Sequence, residues 1–183
     1  GGSSGSSSGD AGGSSGSGTG SEGGAVTGST AMGNPDGTGS FTNVATALFI
    51  PATTSPNAIN VYLFSKPVTC LDISNPAWFA PTSAHHIASG TQYLELALSA
   101  GTSTTPITPG TYTLGVAGMS VTPAYSVAPS ATDTLGVSVS TATVASYTAM
   151  TSISGSFDLH FTGGGTLTGT FATSLYCPNG VEP

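Results

Sequence analysis

Between Ile153 and Phe171 the chain carries two alternating runs around a glycine turn. Ile153, Gly155, Phe157, Leu159 and Phe161 share one parity, and Ser154, Ser156, Asp158 and His160 share the other. After Thr162-Gly163-Gly164-Gly165, the residues Leu167, Gly169 and Phe171 alternate with Thr166, Thr168 and Thr170. A period of two sends successive side chains to opposite faces, so each run reads as a half-buried strand. The glycines between them close a β-hairpin. This hairpin makes an all-helical chain untenable and sets the frame for the rest.

The same grammar recurs upstream. Thr46-Ala47-Leu48-Phe49-Ile50 is a short apolar run halted by Pro51, and residues 58–64 place Ile59, Val61 and Leu63 on one face. Residues 91–99 separate Leu94, Leu96 and Leu98 from Tyr93, Glu95 and Ala97. Pro109-Gly110 marks a turn ahead of Tyr112, Leu114 and Val116. Leu135, Val137 and Val139 alternate, as do Val144, Ser146, Thr148 and Met150 more weakly. The best helical candidate is 76–86, enough for one or two turns. About eight or nine short strands with close turn signals predict an all-β fold, an antiparallel β-sandwich, with a β-barrel as the alternative.

Composition divides the chain. Residues 1–40 hold 15 of the 27 glycines and 11 serines. A stretch so poor in apolar surface is expected to stay a disordered Gly/Ser-rich linker or tether, with a reach of roughly 35 Å. Residues 41–183 are then the β-sandwich domain, long enough to bury a core without a metal. Lys66 is the only basic residue and charged residues are 5% of the chain, against about 25% in ordinary domains. Nucleic-acid partners and electrostatic binding to anionic lipid both need clustered Lys or Arg, so neither is expected. No apolar run is long enough for a transmembrane span. A hydroxyl-rich, nearly Lys-free surface suits an extracellular location, and the start of the chain reads as a processed product.

Cys70 and Cys177 are the only cysteines. Their separation fits neither a zinc site nor a redox motif. Two readings stand: one disulfide closing nearly the whole domain in an oxidising compartment, or two separate buried thiols in the cytosol. The extracellular composition favours the disulfide.

Several side chains invite chemistry. His85-His86 and His160 could gather into a metal site only if the fold brought distant segments together; adjacent histidines on a strand point apart, and solvated or hydrogen-bonded histidines are the plainer reading. Asp158 and His160 share a face and could form an acid–base pair, or simply an outward polar face. Asn34-Pro35-Asp36-Gly37-Thr38-Gly39-Ser40 spaces oxygen side chains like a calcium loop but lacks the later bidentate Glu, so a turn is expected. Lys66 in Ser65-Lys66-Pro67 raises an isopeptide bond against a strand-end turn. Trp78 and Phe79 could stack on a sugar ring as ligand-contact aromatics, or plug one end of the core.

The final hairpin also carries a resemblance. Ser154-Gly155-Ser156-Phe157-Asp158-Leu159-His160-Phe161, the glycine turn, Leu167-Thr168-Gly169-Thr170-Phe171 and Cys177 resemble the ending of a group of uncharacterised, sequence-predicted bacterial surface lipoproteins. Val61-Tyr62-Leu63-Phe64 before Cys70, residues 93–98, and Pro109-Gly110-Thr111-Tyr112 fit the same pattern, so the likeness covers most of 57–177. Such domains often have further cysteines in the middle; this chain has none there. The resemblance implies location and fold rather than chemistry: a cell-surface or outer-membrane-tethered protein with a lipid anchor upstream of Gly1.

The expected function is therefore a non-enzymatic extracellular surface protein with a structural or adhesive role, using no catalytic residues, metal or cofactor. The alternative is a self-assembling fibre subunit, in which a segment such as 25–32 adds a strand to a neighbour. A hydrolase ranks third. The partners implied are further copies of the chain or a cell-surface polymer.

Overall fold

A computed structural model describes Gly1 and residues 28–37, 39–51, 57–74, 85–102, 104–129 and 135–178. Among these described residues nine strands and one short helix follow in order: β1 (Thr30–Asn34), β2 (Thr46–Pro51), β3 (Ala58–Phe64), α1 (Cys70–Ser74), β4 (Gln92–Ser99), β5 (Gly110–Thr113), β6 (Ser120–Val127), β7 (Val137–Thr148), β8 (Ser152–Phe161) and β9 (Thr166–Thr173). They form two antiparallel sheets, a five-stranded β1-β9-β8-β7-β5 and a four-stranded β2-β3-β4-β6. The sheets stack as a sandwich and do not close into a barrel.

The core between the sheets is built from the alternate positions of each strand. Ile59, Val61 and Leu63 of β3 and Leu94, Leu96 and Leu98 of β4 meet Ile153, Phe157, Leu159, Leu167 and Phe171 from the other sheet, all buried. The four-stranded sheet is buried on its second face as well. There Leu48, Phe64 and Tyr93 pack with Val68, Ile87 and Cys177, which explains why β2 and β3 read as nearly continuous apolar runs.

The β8–β9 hairpin shows why its glycines are placed as they are. Gly155 lies opposite Phe171 and Phe157 lies opposite Gly169. A Cβ on Gly155 would run into the Phe171 ring, and one on Gly169 would come within 2.7 Å of the Phe157 ring. Each phenylalanine thus lies over the bare backbone of the facing glycine, an arrangement that compensates a strand glycine for its missing side chain. At the turn Gly164 has φ 87°, a left-handed conformation that glycine adopts without a Cβ clash.

Cys70 and Cys177 are joined in a disulfide, Cα–Cα 5.5 Å. α1 presents Cys70 through a reciprocal cap: the Thr69 amide and hydroxyl each donate to Asp72 Oδ2 at 2.8 Å, and the Asp72 amide donates to Thr69 Oγ1 at 3.3 Å. The bond fixes the C-terminal segment along the outer edge of β2. The Phe49 amide donates to the Leu175 carbonyl and the Cys177 amide donates to the Phe49 carbonyl, both at 3.0 Å.

The folded unit starts earlier than the boundary at residue 40. Thr30–Asn34 is an edge strand paired with β9 from Thr30↔Thr170 to Asn34↔Thr166. Composition misses it because a ladder satisfies backbone groups whatever the side chains, and only Ala31 points into the core, 4% exposed. The helical candidate at 76–86 lies largely outside the described residues; the helix observed comes just before it.

Candidate functional site

The outer face of the five-stranded sheet is an ordered field of hydroxyls. Thr30, Thr170, Ser156, Thr143 and Thr111 lie directly opposite one another across all five strands, and all five are exposed. A second row runs Met32, Thr168, Asp158, Thr141, Thr113, and a third begins Asn34, Thr166, His160. Neighbouring strands in a row are about 4.8 Å apart, and rows are separated by about 6.7 Å along the strands. Several hydroxyls touch: Thr30 Oγ1 and Thr170 Oγ1 are 2.9 Å apart, Thr111 Oγ1 and Thr143 Oγ1 3.3 Å, and Ser146 Oγ and Ser154 Oγ 2.7 Å. The local reason is that threonine is the polar residue best suited to a strand, and the inward parity is already taken by the core.

At the end of this face lies an open hollow of about 200 Å³, lined by Ser146, Ser152, Ile153, Ser154, Ala172, Thr173 and Ser174. Ser146, Ser152, Ser154 and Ser174 bring hydroxyls to its wall beside the apolar Ile153 and Ala172. Ser29 continues the β1 edge toward it, its Oγ accepting from the Ala172 amide at 3.0 Å. The face as a whole offers many neutral donors and acceptors, and Asp158 and His160 stand together on it. That pair is close, His160 Nε2 to Asp158 Oδ1 3.3 Å, and open to solvent on both sides.

The other residues singled out by sequence are dispersed. His85 Nδ1 lies 4.0 Å from Asp72 Oδ1, beside α1 rather than on the five-stranded sheet that carries His160. Among the described residues no group of three His, Cys, Asp or Glu is placed to hold a metal ion. Lys66 Nζ donates to the Ser89 carbonyl at 2.8 Å, tying the turn after β3 to the one before β4. Asp36 Oδ1 accepts from the Gly39 amide at 3.2 Å, a local side-chain-to-backbone bond of the kind that Asp makes in turns. Trp78 and Phe79 lie outside the described residues.

One polar network was not anticipated. On the outer side of the four-stranded sheet Asn60 Nδ2 donates to Tyr62 OH at 3.3 Å, and Tyr62 OH donates to Glu95 Oε1 at 3.0 Å. Burial, and then the adjacent Glu95 charge, push the Tyr62 phenol well above its ordinary value. Burial likewise raises Tyr125, which accepts from Gln92 Nε2 at 3.0 Å, and Tyr147. Period two could have flagged Asn60, Tyr62 and Glu95 as outward residues, but their meeting depends on the Tyr62↔Glu95 register.

No known protein family, no curated protein and no solved structure matches the chain.

Proposed function

We propose that this chain is a non-enzymatic extracellular surface protein with a structural or adhesive role, carried on its glycine- and serine-rich leader. Its outer hydroxyl face grips a neutral cell-surface polymer. The row Thr30-Thr170-Ser156-Thr143-Thr111 carries this reading. The five positions repeat at about the strand spacing, close to the length of one pyranose ring in a glycan chain, with the hydroxyls of the two outer pairs drawn together. Sheet twist turns each strand by roughly 20–25° from the last, so a flexible chain laid along the row follows the face better than a flat crystal would. With 5% charged residues, the surface has little to repel a neutral polymer or to attract a charged one. The buried Cys70–Cys177 bond supports an oxidising, extracytoplasmic setting. The resemblance to surface lipoproteins agrees, with a lipid anchor ahead of Gly1.

The test is co-sedimentation with insoluble but amorphous neutral polysaccharide, swollen cellulose and swollen chitin first, comparing wild type with the triple variant T143V/S156A/T170V. Those changes keep strand propensity and remove three hydroxyls. At a net worth of about 0.5–1.5 kcal/mol per hydrogen bond, affinity should fall at least tenfold while the melting temperature holds. Equal pelleting of the variant, or wild type left wholly in the supernatant of every polymer tried, defeats the reading.

A further inference from the structure

We propose that β1 is an exchangeable strand, and that the β9 edge is an acceptor slot for β1 of a second copy of this chain. The proposal goes beyond the adhesive reading and does not depend on it.

β1 is held lightly. Its ladder is with β9 alone, Ala31 is its one buried apolar side chain, and Met32 is 73% exposed. The slot is nonetheless shaped for it. A Cβ on Gly169 would strike the Thr30 carbonyl, and one on Gly165 would lie 2.6 Å from the Asn34 carbonyl. On the donor side a Cβ on Gly33 would come within 2.9 Å of the Leu167 Cα. Backbone meets backbone along this seam, and every contact would be reproduced if the donor strand came from another molecule.

The flanks permit the transfer. Residues 1–27 ahead of β1 are dominated by glycine and serine. Behind it, Asn34-Pro35-Asp36-Gly37-Thr38-Gly39-Ser40 leads to Phe41, which is fully buried. Extended, this connection reaches about 24 Å. Opening it gives up the bond from the Gly39 amide to Asp36, while the bond from the Phe41 amide to the Gly33 carbonyl, 2.9 Å, re-forms between copies. The other sheet edges are poor competitors. β2 is covered by the disulfide-pinned C-terminal segment, β6 carries Pro123, and β5 pairs over four residues. Each copy thus has one donor strand and one acceptor edge, which gives a reciprocal dimer or an open head-to-tail chain.

Cysteine trapping decides the matter. Met32 and Thr168 are directly opposite, so their Cα atoms lie about 4.5–5.5 Å apart, within disulfide range. Full-length M32C and T168C, each with its native disulfide intact, are mixed at high concentration, warmed below the melting transition, then oxidised and read by non-reducing electrophoresis and mass spectrometry. A 32–168 link between two chains is expected, at least tenfold above a control mixing M32C with T111C. The double variant M32C/T168C should close within one chain when dilute and link chains after incubation when concentrated. A purely intramolecular link at every concentration overturns the proposal. So do oligomers in which the 32–168 link stays within each chain, since these would be joined by edge-to-edge addition outside β1. Failure of the double variant to close at all would also overturn it, by removing the register on which it stands.

Discussion

Removing the Cys70–Cys177 bond should unfasten one edge of the sandwich as well as lower its stability. The bond spans a sequence separation of 107, so the chain-entropy treatment assigns it about 4.8 kcal/mol at 25 °C. For a folded unit of about 140 residues at about 2.1 cal/mol/K each, that loss lowers the melting temperature by about 16 °C. Reduced wild type isolates the cross-link contribution. C70A/C177A adds the void left by the sulfurs of two residues that are 1% and 0% exposed among Leu48, Phe64 and Tyr93, so it should melt lower still. Calorimetry of the oxidised, reduced and double-alanine proteins gives the three temperatures. Hydrogen exchange then asks where the loosening begins. The Phe49 and Cys177 amides, which hold the C-terminal segment against β2, should lose protection before those of β3 and β4. A reduced protein melting within about 3 °C of the oxidised one, with the Phe49 amide equally protected, would refute the reasoning.

Three further outcomes follow from single positions. Gly155→Ala should cost about 2–3 kcal/mol in urea unfolding, because its Cβ would meet the Phe171 ring and the Thr143 carbonyl; a cost below about 0.5 kcal/mol would mean the hairpin relaxes around it. Met150→Asn should raise stability by about 1 kcal/mol, since Met150 is held at φ 56° in the β7–β8 turn, a conformation asparagine tolerates better. Tyr62 has its phenol pKa raised in the folded state, so the unfolded chain ionises first. Stability is then fully present below pH about 10 and declines as pH rises further. Urea midpoints measured from pH 8 to 11 should fall less steeply for Tyr62→Phe than for wild type, and parallel curves would remove Tyr62 from the account.

How much of this was legible beforehand depends on whether a residue's role is local. The 91–99 alternation became β4 (Gln92–Ser99) and the glycine-turn hairpin became β8 and β9 with the expected faces inward. The weak signals around Val137 and Val144 are one twelve-residue strand, β7. Register shifts between Val137 and Ser140 and between Val144 and Ser146 change its parity, so it read as two runs. β6 escaped notice because Pro123 interrupts its pattern, although a proline is tolerated on an edge. The hydroxyl row draws its members from positions 30, 111, 143, 156 and 170. Thr-x-Thr spacing hints at each strand's share, but only the pairing register aligns them. The histidines are the opposite case: their chemistry was visible in sequence, and only the topology shows His85 and His160 on different parts of the molecule.

The disulfide also decides how this fold bears force. A load entering through the leader and leaving at the far terminus would be short-circuited at the Cys70–Cys177 bond. β4 through β9 lie inside that covalent loop and β1 through β3 outside it. Stretching could therefore release only about 140 Å of chain between Thr30 and Cys70. Thr111, Thr143, Ser156 and Thr170 lie within the loop that carries no tension and Thr30 lies outside it, so the covalent path caps the extension at that length whatever becomes of the sheets.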